Sequence, residues 1–135
     1  MRFAHVKGIK RARAVLKALN RLAESAGETR TRLIIAELPI EQPELQVELD
    51  TCTGKYRVDS AWQGIKLILE FDGNSKYFAY AQATEQALID ERERENALIE
   101  LGWRFIRIKW KHLANPELLK ARIMDAYLAA AQAAA

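Results

Sequence analysis

The chain has few of the residues that disulfide frameworks and soft-metal sites need. Its 135 residues include one cysteine, Cys52, so no disulfide can form within the chain, and this usage fits a reducing compartment. The two histidines, His5 and His112, lie far apart and have no other ligand types at metal-site spacing. The sequence also lacks a glycine-rich phosphate loop, a dinucleotide-binding fingerprint and a nucleophile elbow. A zinc centre and these motif-based enzyme classes therefore receive no support.

Long hydrophobic runs are absent as well. No apolar stretch approaches the ~18–20 residues that a membrane span needs, and the N-terminus lacks the apolar core of a signal peptide. Half of the residues are hydrophobic and 29% are charged, which is an ordinary globular balance. We therefore expect one soluble, cytoplasmic domain that has its own core and no membrane partner.

The charges that are present are unevenly placed, although the net charge is only +3. The first 32 residues hold nine lysines and arginines against two acids, Glu24 and Glu28, and a second basic group follows Trp103. This asymmetry suits a polyanion, because phosphate contacts supply most non-specific nucleic-acid affinity. A solvated helix face explains it equally well. The residues expected to contact a nucleic-acid backbone are Lys10, Arg13, Lys17, Lys66, Lys76, Arg107 and Lys109.

Hydrophobic spacing and turn signals predict the element order ααβββαβα. A basic amphipathic helix covers 6–22, and a capping box, Ser25 with Glu28, opens a second helix that ends near Leu38. Asn115-Pro116 begins a last helix. The three strands of a meander, a long helix with Gly102 at its end, and a fourth strand cover 45–49, 56–62, 66–71, 81–101 and 103–110.

A helix between the third and fourth strands calls for a mixed four-stranded sheet with helices on both faces, and hence for an α/β fold. The chain then divides into a basic N-terminal helix extension over 1–24, a domain over 25–128 and an alanine-rich tail over 129–135, whose last residues are expected to fray.

Three acidic residues mark the sheet. Glu70 and Asp72 are two positions apart at the end of an apolar run, so they point to the same face, and Asp59 lies on the preceding strand. Like charges side by side on a half-buried face cost stability, and a divalent metal ion is the usual counter-charge. Salt bridges to Arg57 and Lys66 on a wet sheet surface are the alternative explanation.

Hairpin geometry tests whether the three acids can meet. A turn at Gln63-Gly64 pairs residue 62 with residue 65, which places Asp59 opposite Ile68 and Arg57 opposite Glu70. Asp59 and Glu70 then share a face as diagonal neighbours ~7–8 Å apart, within reach of one ion. A loop of odd length would instead turn Asp59 to the core.

The residues around these acids resemble a known family. The strings YRVDSAW over 56–62 and LEFDG over 69–73 are similar to an endonuclease-like domain of unknown function related to the very-short-patch repair endonucleases, within the PD-(D/E)xK superfamily. The stretch from Glu91 to Trp110 looks like the family's helix and its following GW-type strand, with Arg107 at the family's arginine. Residues 25–32 resemble its first core helix. The resemblance covers roughly residues 25–125.

The resemblance implies a restriction-endonuclease-like αβββαβ core and hydrolysis of phosphodiester bonds in DNA with Mg²⁺ or Mn²⁺. It implies that Asp59 and Glu70, with Asp72 beside them, hold the metal, and that Glu28 is the acid of the first core helix. Asp72 stands where the superfamily usually has lysine. The basic catalytic group is therefore unassigned among Lys66, Lys76 and Arg94, and Arg94 joins the catalytic candidates.

Two other functions stay open. A catalytically silent domain of this fold would bind nucleic acid or act as an antitoxin-type module, and an interaction module would use the basic first helix. An arginine that fills the space between the acids would favour a silent domain. A homodimer is the partner arrangement that the sequence leaves open beside DNA.

Overall fold

A computed structural model describes the backbone of residues 2–72 and 85–135, and the side chains from residue 8 onward within those ranges. Helix α1 (Arg2–Ala36) precedes strands β1 (Glu44–Thr51), β2 (Gly54–Trp62) and β3 (Leu67–Phe71). Helix α2 (Glu85–Glu100), strand β4 (Arg104–Ile108), and helices α3 (Trp110–Leu113) and α4 (Pro116–Ala134) follow. The predicted loop at Gly73-Asn74-Ser75 and the predicted start of α2 near residue 81 lie outside the described residues.

The four strands form one mixed sheet in the order β1-β2-β3-β4. The first three pair antiparallel as a meander, and β4 returns parallel to β3. One face packs Leu69 and Ile106 against Ile35 of α1 and Ile123 of α4, while the other packs Ile68 against Leu98 of α2. Helices therefore cover both faces, as the crossover between β3 and β4 requires, and the predicted α/β layout is confirmed.

Helix α1 runs unbroken for 35 residues, so the predicted break at Ser25 is wrong. Instead of capping a new helix, Ser25 and Gly27 accept hydrogen bonds through their carbonyls from the hydroxyls of Thr29 and Thr31, one turn later. Glu28 is accordingly an interior residue of α1, and a capping box does not account for it. Burial of Gly27, Thr31 and Ile35 on the sheet holds the helix through this segment.

The β2–β3 hairpin has a different register from the predicted one. Gln63–Ile65 form a 3₁₀ turn and Lys66 adopts a left-handed φ of 53°, so four residues close the hairpin and Trp62 pairs with Leu67. The pairing of Asp59 with Ile68 and of Arg57 with Glu70 is therefore wrong, since every partner is shifted by two residues. A shift of two would preserve the face of each side chain in a regular ladder, but the pairing ends at Ser60 and Leu69. Beyond it, Asp59 lies in a cavity on the α1 side together with Leu69 and Phe71, whereas Glu70 points to the α2 side and meets Arg94. The prediction that Asp59 and Glu70 share a face is therefore wrong.

The end of the chain departs from the sequence prediction in two places. Strand β4 stops at Ile108 because Trp110 begins α3 and packs edge-on against Phe71, with 5.2 Å between ring centroids. Helix α4 begins as predicted, with Asn115 as N-cap, but it continues to Ala134 and buries Ala130, so the alanine-rich tail belongs to the helix. Among residues 2–72 and 85–135, none of the helices combines the length and apolar character of a membrane span.

Gly27 is the point where α1 approaches the sheet most closely, because a Cβ there would overlap the ring of Phe71. We expect Gly27→Ala to lower the free energy of unfolding by about 1 kcal/mol, since the overpacking cost exceeds the helix propensity that alanine gains. Gly8→Ala, in the same helix but in open space, should be neutral or stabilising. Urea denaturation of both variants tests this, and equal effects at the two positions would contradict the close approach.

Candidate functional site

Strands β2 and β3 separate three residue pairs beyond the turn of their hairpin, next to Asp59 and Glu70. Their backbones pair only from Trp62 and Leu67 to Ser60 and Leu69. At the next position a side chain replaces the backbone as the hydrogen-bond partner, because Asp59 Oδ2 accepts a hydrogen bond from the Phe71 backbone N–H at 3.1 Å. Strand β2 continues beside β1, and β3 continues beside β4. Asp59 therefore stands in a fork between the two strands.

A cavity of about 60 Å³ opens beside this fork. Helix α1 forms one wall, β1 forms another, and the diverging strands form the floor. Its lining residues are Glu28, Thr31, Arg32, Ile35, Leu45, Gln46, Asp59, Ser60, Leu69 and Phe71.

Two of these lining residues, Arg32 and Gln46, were not predicted from the sequence to belong to the site. Gln46 has a left-handed φ of 51° between the paired residues Leu45 and Val47. That conformation is uncommon outside glycine and clusters at functional sites, because it persists only where its surroundings enforce it. Nothing local in the sequence indicates it. Arg32 could have been noticed, since it lies one helical turn after Glu28.

The electrostatics of the cavity centre on Asp59. Burial, and then the negative charge of Glu28, raise its pKa to about 6, with smaller contributions from Glu70 and Glu24, while the hydrogen bond from the Phe71 amide lowers it. The pKa of Glu28 is raised too, by burial and then by Glu24, against the lowering effect of Arg32. Four carboxylates thus act on one partly buried region, and concentrated negative charge of this kind favours binding of a proton or a cation.

Glu70 is held from the α2 side by Arg94. The Arg94 Nη2 lies 3.0 Å from Glu70 Oε1, and the two side chains are only 14% and 16% exposed. Arg94 also binds Glu91 at 2.8 Å, donates to the Arg57 carbonyl at 2.9 Å and lies over the Tyr56 ring. It therefore joins α2 to two strands and is not part of a solvated helix face.

The other basic residues that could pair with the acids are engaged elsewhere. Arg57 pairs with Glu48 on β1 at 3.3 Å. The Lys66 Nζ donates to the Leu101 carbonyl at 2.8 Å, at the opposite end of β3 from Asp72. Lys76 lies outside the described residues. Arg94 is consequently the basic candidate that the structure brings to a site carboxylate.

One feature of the site favours binding of a metal ion, and another does not. The charge at Asp59, Glu28 and Glu70 fits a divalent cation, and a carboxylate bound through one oxygen has a second one for a ligand bond. Within the described part of the chain, however, no three Asp, Glu, His or Cys side chains converge closely enough to hold an ion. Asp72 follows β3 directly, and its backbone N–H donates to the Ile108 carbonyl at 2.7 Å.

The unbroken α1 fixes the direction of its basic residues. Along the helix, steps of three or four residues keep side chains on one face, and buried Thr31 and Ile35 mark the face that meets the sheet. The residues that follow this face from the N-terminal part of α1 towards the sheet are Lys10, Arg13, Lys17, Arg21, Glu24, Glu28, Thr31 and Ile35. The basic stripe therefore leads to the carboxylates, and Lys10 lies about 27 Å from Glu28 along the axis.

The predicted basic group near β4 is less available than the basic residues of α1 for contact with a nucleic-acid backbone. Arg107 pairs with Glu95 of α2 at 3.2 Å and lies over the Phe105 ring. Lys109 is exposed just before α3, where its backbone N–H donates to His112. Among the described candidates, those on α1 are the ones aligned with the cavity.

Comparisons with known proteins give relatives but no function. Over 119 residues the chain is 31% identical to the uncharacterized protein MT2308 of Mycobacterium tuberculosis (strain CDC 1551 / Oshkosh) and to the uncharacterized protein Rv2248 of strain ATCC 25618 / H37Rv. The aligned part is 87% of this chain and 42% of each relative, so the chain spans less than half of their length. No family model matches the chain, and no solved structure matches it.

Proposed function

We propose that the chain is a metal-dependent hydrolase of phosphodiester bonds in DNA, with Mg²⁺ or Mn²⁺ as its cofactor. The main support for the proposal is the environment of Asp59 at the fork between the strands. Burial and three neighbouring carboxylates raise the pKa of Asp59 to about 6. Keeping such a cluster ionised at neutral pH costs free energy, and a divalent cation offsets that cost. The resemblance to the PD-(D/E)xK superfamily points to the same residues.

In this proposal Asp59 and Glu28, which line the cavity, would hold the ion, and Glu70 and Asp72 would complete the set from β3 when the ion draws the carboxylates together. When bound, the ion would supply Lewis-acid chemistry for phosphodiester hydrolysis. Arg94 fixes Glu70 through the 3.0 Å ion pair, which makes it a positioning residue. Arg32, on the cavity wall, is placed to bind a phosphate oxygen.

DNA reaches the site along α1 in the same proposal. The stripe of Lys10, Arg13, Lys17 and Arg21 shares the helix face of Glu28, so a phosphate backbone that follows the stripe is led to the cavity. These contacts carry no sequence information, because phosphates are the same in every sequence. We therefore expect weak sequence preference from α1.

A second function is favoured by a specific observation. Arg94 already provides a positive charge at Glu70, and the described residues contain no three-ligand cluster. Both features suit a domain of this architecture that binds nucleic acid, or acts as an antitoxin-type module, without cleaving. Such a domain would keep the basic stripe and lose the requirement for metal.

Calorimetric titration with Mn²⁺, followed by a plasmid-nicking assay with Mg²⁺ or Mn²⁺, separates the two functions. The hydrolase should bind Mn²⁺ and nick the plasmid, and Glu28→Gln should weaken both, whereas Asp125→Asn, an exposed acid on α4, should change neither. Calcium should bind without supporting hydrolysis. Salt-sensitive DNA binding without metal uptake or nicking would establish the silent domain and overturn the hydrolase.

A further inference from the structure

Helix α1 carries an apolar stripe on the side away from its basic stripe. Its residues recur at alternating steps of three and four, which is the a/d pattern of a coiled coil over three heptads. We call this stripe the α1 seam; it consists of Ile9, Ala12, Leu16, Leu19, Ala23 and Ala26, all of which are exposed.

The α1 seam leaves large side chains in water. Ile9 is 39% exposed, Leu16 43% and Leu19 55%, and Val15 and Leu22 beside the seam are more exposed still. The same helix buries Thr31 and Ile35 where it meets the sheet, so the seam is not the face that docks on the domain. Contiguous exposed apolar surface of this kind marks an interaction site.

We propose that the α1 seam pairs with the α1 seam of a second copy of this chain, as an antiparallel two-helix coiled coil. The pairing rests on α1 alone and holds whether or not the carboxylate site is active. Three properties of the sequence of α1 favour a second copy of this chain as the partner and an antiparallel orientation. They are the packing of the seam layers, the contacts of the flanking residues and the charge.

Layer packing is self-complementary in the antiparallel orientation. With the two-fold axis between residues 17 and 18, Leu16 packs against Leu19 of the second copy, and Ile9 packs against Ala26, so a large side chain meets a small one at each end. Ala12 faces Ala23 in this register, so the antiparallel pair has two alanine-on-alanine layers. A parallel pair would have three, at Ala12, Ala23 and Ala26, beside layers of leucine and isoleucine, which leaves more gaps. Interiors tolerate such gaps poorly.

The residues that flank the seam also favour the antiparallel orientation. The a positions of the α1 seam are residues 9, 16 and 23. In an antiparallel pair the residues immediately before them face each other, so Val15 meets Leu22 of the second copy. On the other flank, Arg13 meets Asn20 and avoids a second arginine. In a parallel pair, Val15 would instead lie beside Asn20.

Charge decides between the two orientations. Residues 8–21 carry five bases and no acid, whereas the next acids are Glu24 and Glu28. A parallel pair would place the two basic segments side by side. The antiparallel pair places residues 8–21 alongside residues 14–27 of the second helix, which hold Glu24 and only two of the five bases, so the repulsion is smaller than in the parallel pair.

The antiparallel pair also sets the distance between the two cavities. Each Glu28 lies about 16 Å from the two-fold axis along α1, so the two Glu28 residues are roughly 32 Å apart in the direction of the helix. Where the proposed function holds, that separation is close to one turn of B-DNA, about 34 Å, and two sites would address one duplex.

Sedimentation velocity of the full chain tests the proposal across a broad range of protein concentration. We expect a reversible dimer with a Kd on the order of micromolar, because the interface lies at the small end of specific interfaces. Leu16→Gln/Leu19→Gln should weaken dimerisation at least about tenfold with unchanged helical circular dichroism. Leu118→Gln/Leu128→Gln, which changes exposed leucines on α4, should leave it unchanged.

Disulfide trapping tests the orientation in a Cys52→Ser background. Mixing Leu16→Cys with Leu19→Cys should give the mixed disulfide, whereas a parallel pair gives disulfides within each variant alone. A chain that stays monomeric, a dimer that survives Leu16→Gln/Leu19→Gln, or the parallel product overturns the proposal. So does a monomer that binds anionic lipid vesicles through this stripe, since that result assigns it to a membrane surface.

Discussion

Replacing Arg94 with methionine should lower the free energy of unfolding by about 3 kcal/mol. Arg94 and Glu70 are both largely buried and lie 3.0 Å apart, so the substitution leaves Glu70 without its cation in a poorly solvated position. Breaking one side of a buried ion pair is costly mainly because of that uncompensated charge. The loss of the hydrogen bond to the Arg57 carbonyl adds to the effect.

Matched variants isolate this ion pair. Arg92→Met changes an exposed arginine two residues away on α2 and should stay within about 0.5 kcal/mol of wild type. Adding Glu70→Gln to Arg94→Met should recover part of the loss, because the stranded charge is then gone, and the double-mutant cycle should show a coupling of 1 kcal/mol or more, on the order expected for contacting residues. If Arg94→Met proves no worse than Arg92→Met in urea denaturation, the ion pair does not stabilise the fold.

The element order and the faces of the sheet could be predicted from the sequence because they follow from short-range periodicity. Alternation of apolar and polar residues along β3 predicted which side of that strand carries Glu70, and the register of the hairpin does not affect it. The face of Asp59 could not be predicted in this way, because the strands no longer pair at that residue. Asn115-Pro116 and Gly102 act through backbone conformation at a single position, so their effects were also predictable.

The continuity of α1 could not be predicted because two rules competed. Ser25 and Glu28 have the spacing of a capping box, but the four residues before Ser25 are good helix formers, and tertiary burial of Gly27 and Ile35 favours one helix. The consequence for function is direct. Two separate helices would leave the direction of the basic residues undefined, whereas one helix aligns them with Glu28.

The detailed arrangement of the site was out of reach because it depends on distant segments. The hairpin register follows from a 3₁₀ turn and the left-handed Lys66, neither of which has a strong sequence signal. The partner of Glu70 comes from α2, 24 positions later in the chain, while its predicted neighbour Arg57 turns to β1. Gln46 enters the cavity only because its backbone departs from strand geometry.

An Asp59→Asn variant should be more stable than wild type above pH 7 and inactive. In the folded chain the pKa of Asp59 is raised from its ordinary value of 3.8 to about 6, first by burial and then by Glu28. The folded state therefore binds more protons than the unfolded state between these pH values, so wild-type stability is fully present below pH 3.8 and falls as pH rises through 6. Asparagine removes this fall while its oxygen can still accept the Phe71 N–H.

The gain should be about 1 to 2 kcal/mol at pH 8, less than the pKa change alone would give because solvent screens a partly exposed group. Urea denaturation from pH 4 to pH 8 should show the two proteins converging at the acid end. Plasmid nicking should fall by a factor on the order of 10³, while Asp125→Asn should match wild type in both measurements. A variant that is less stable than wild type at pH 8 would show that Asp59 serves the fold, since a carboxylate that stabilises the folded chain is not held there at a cost for a cation.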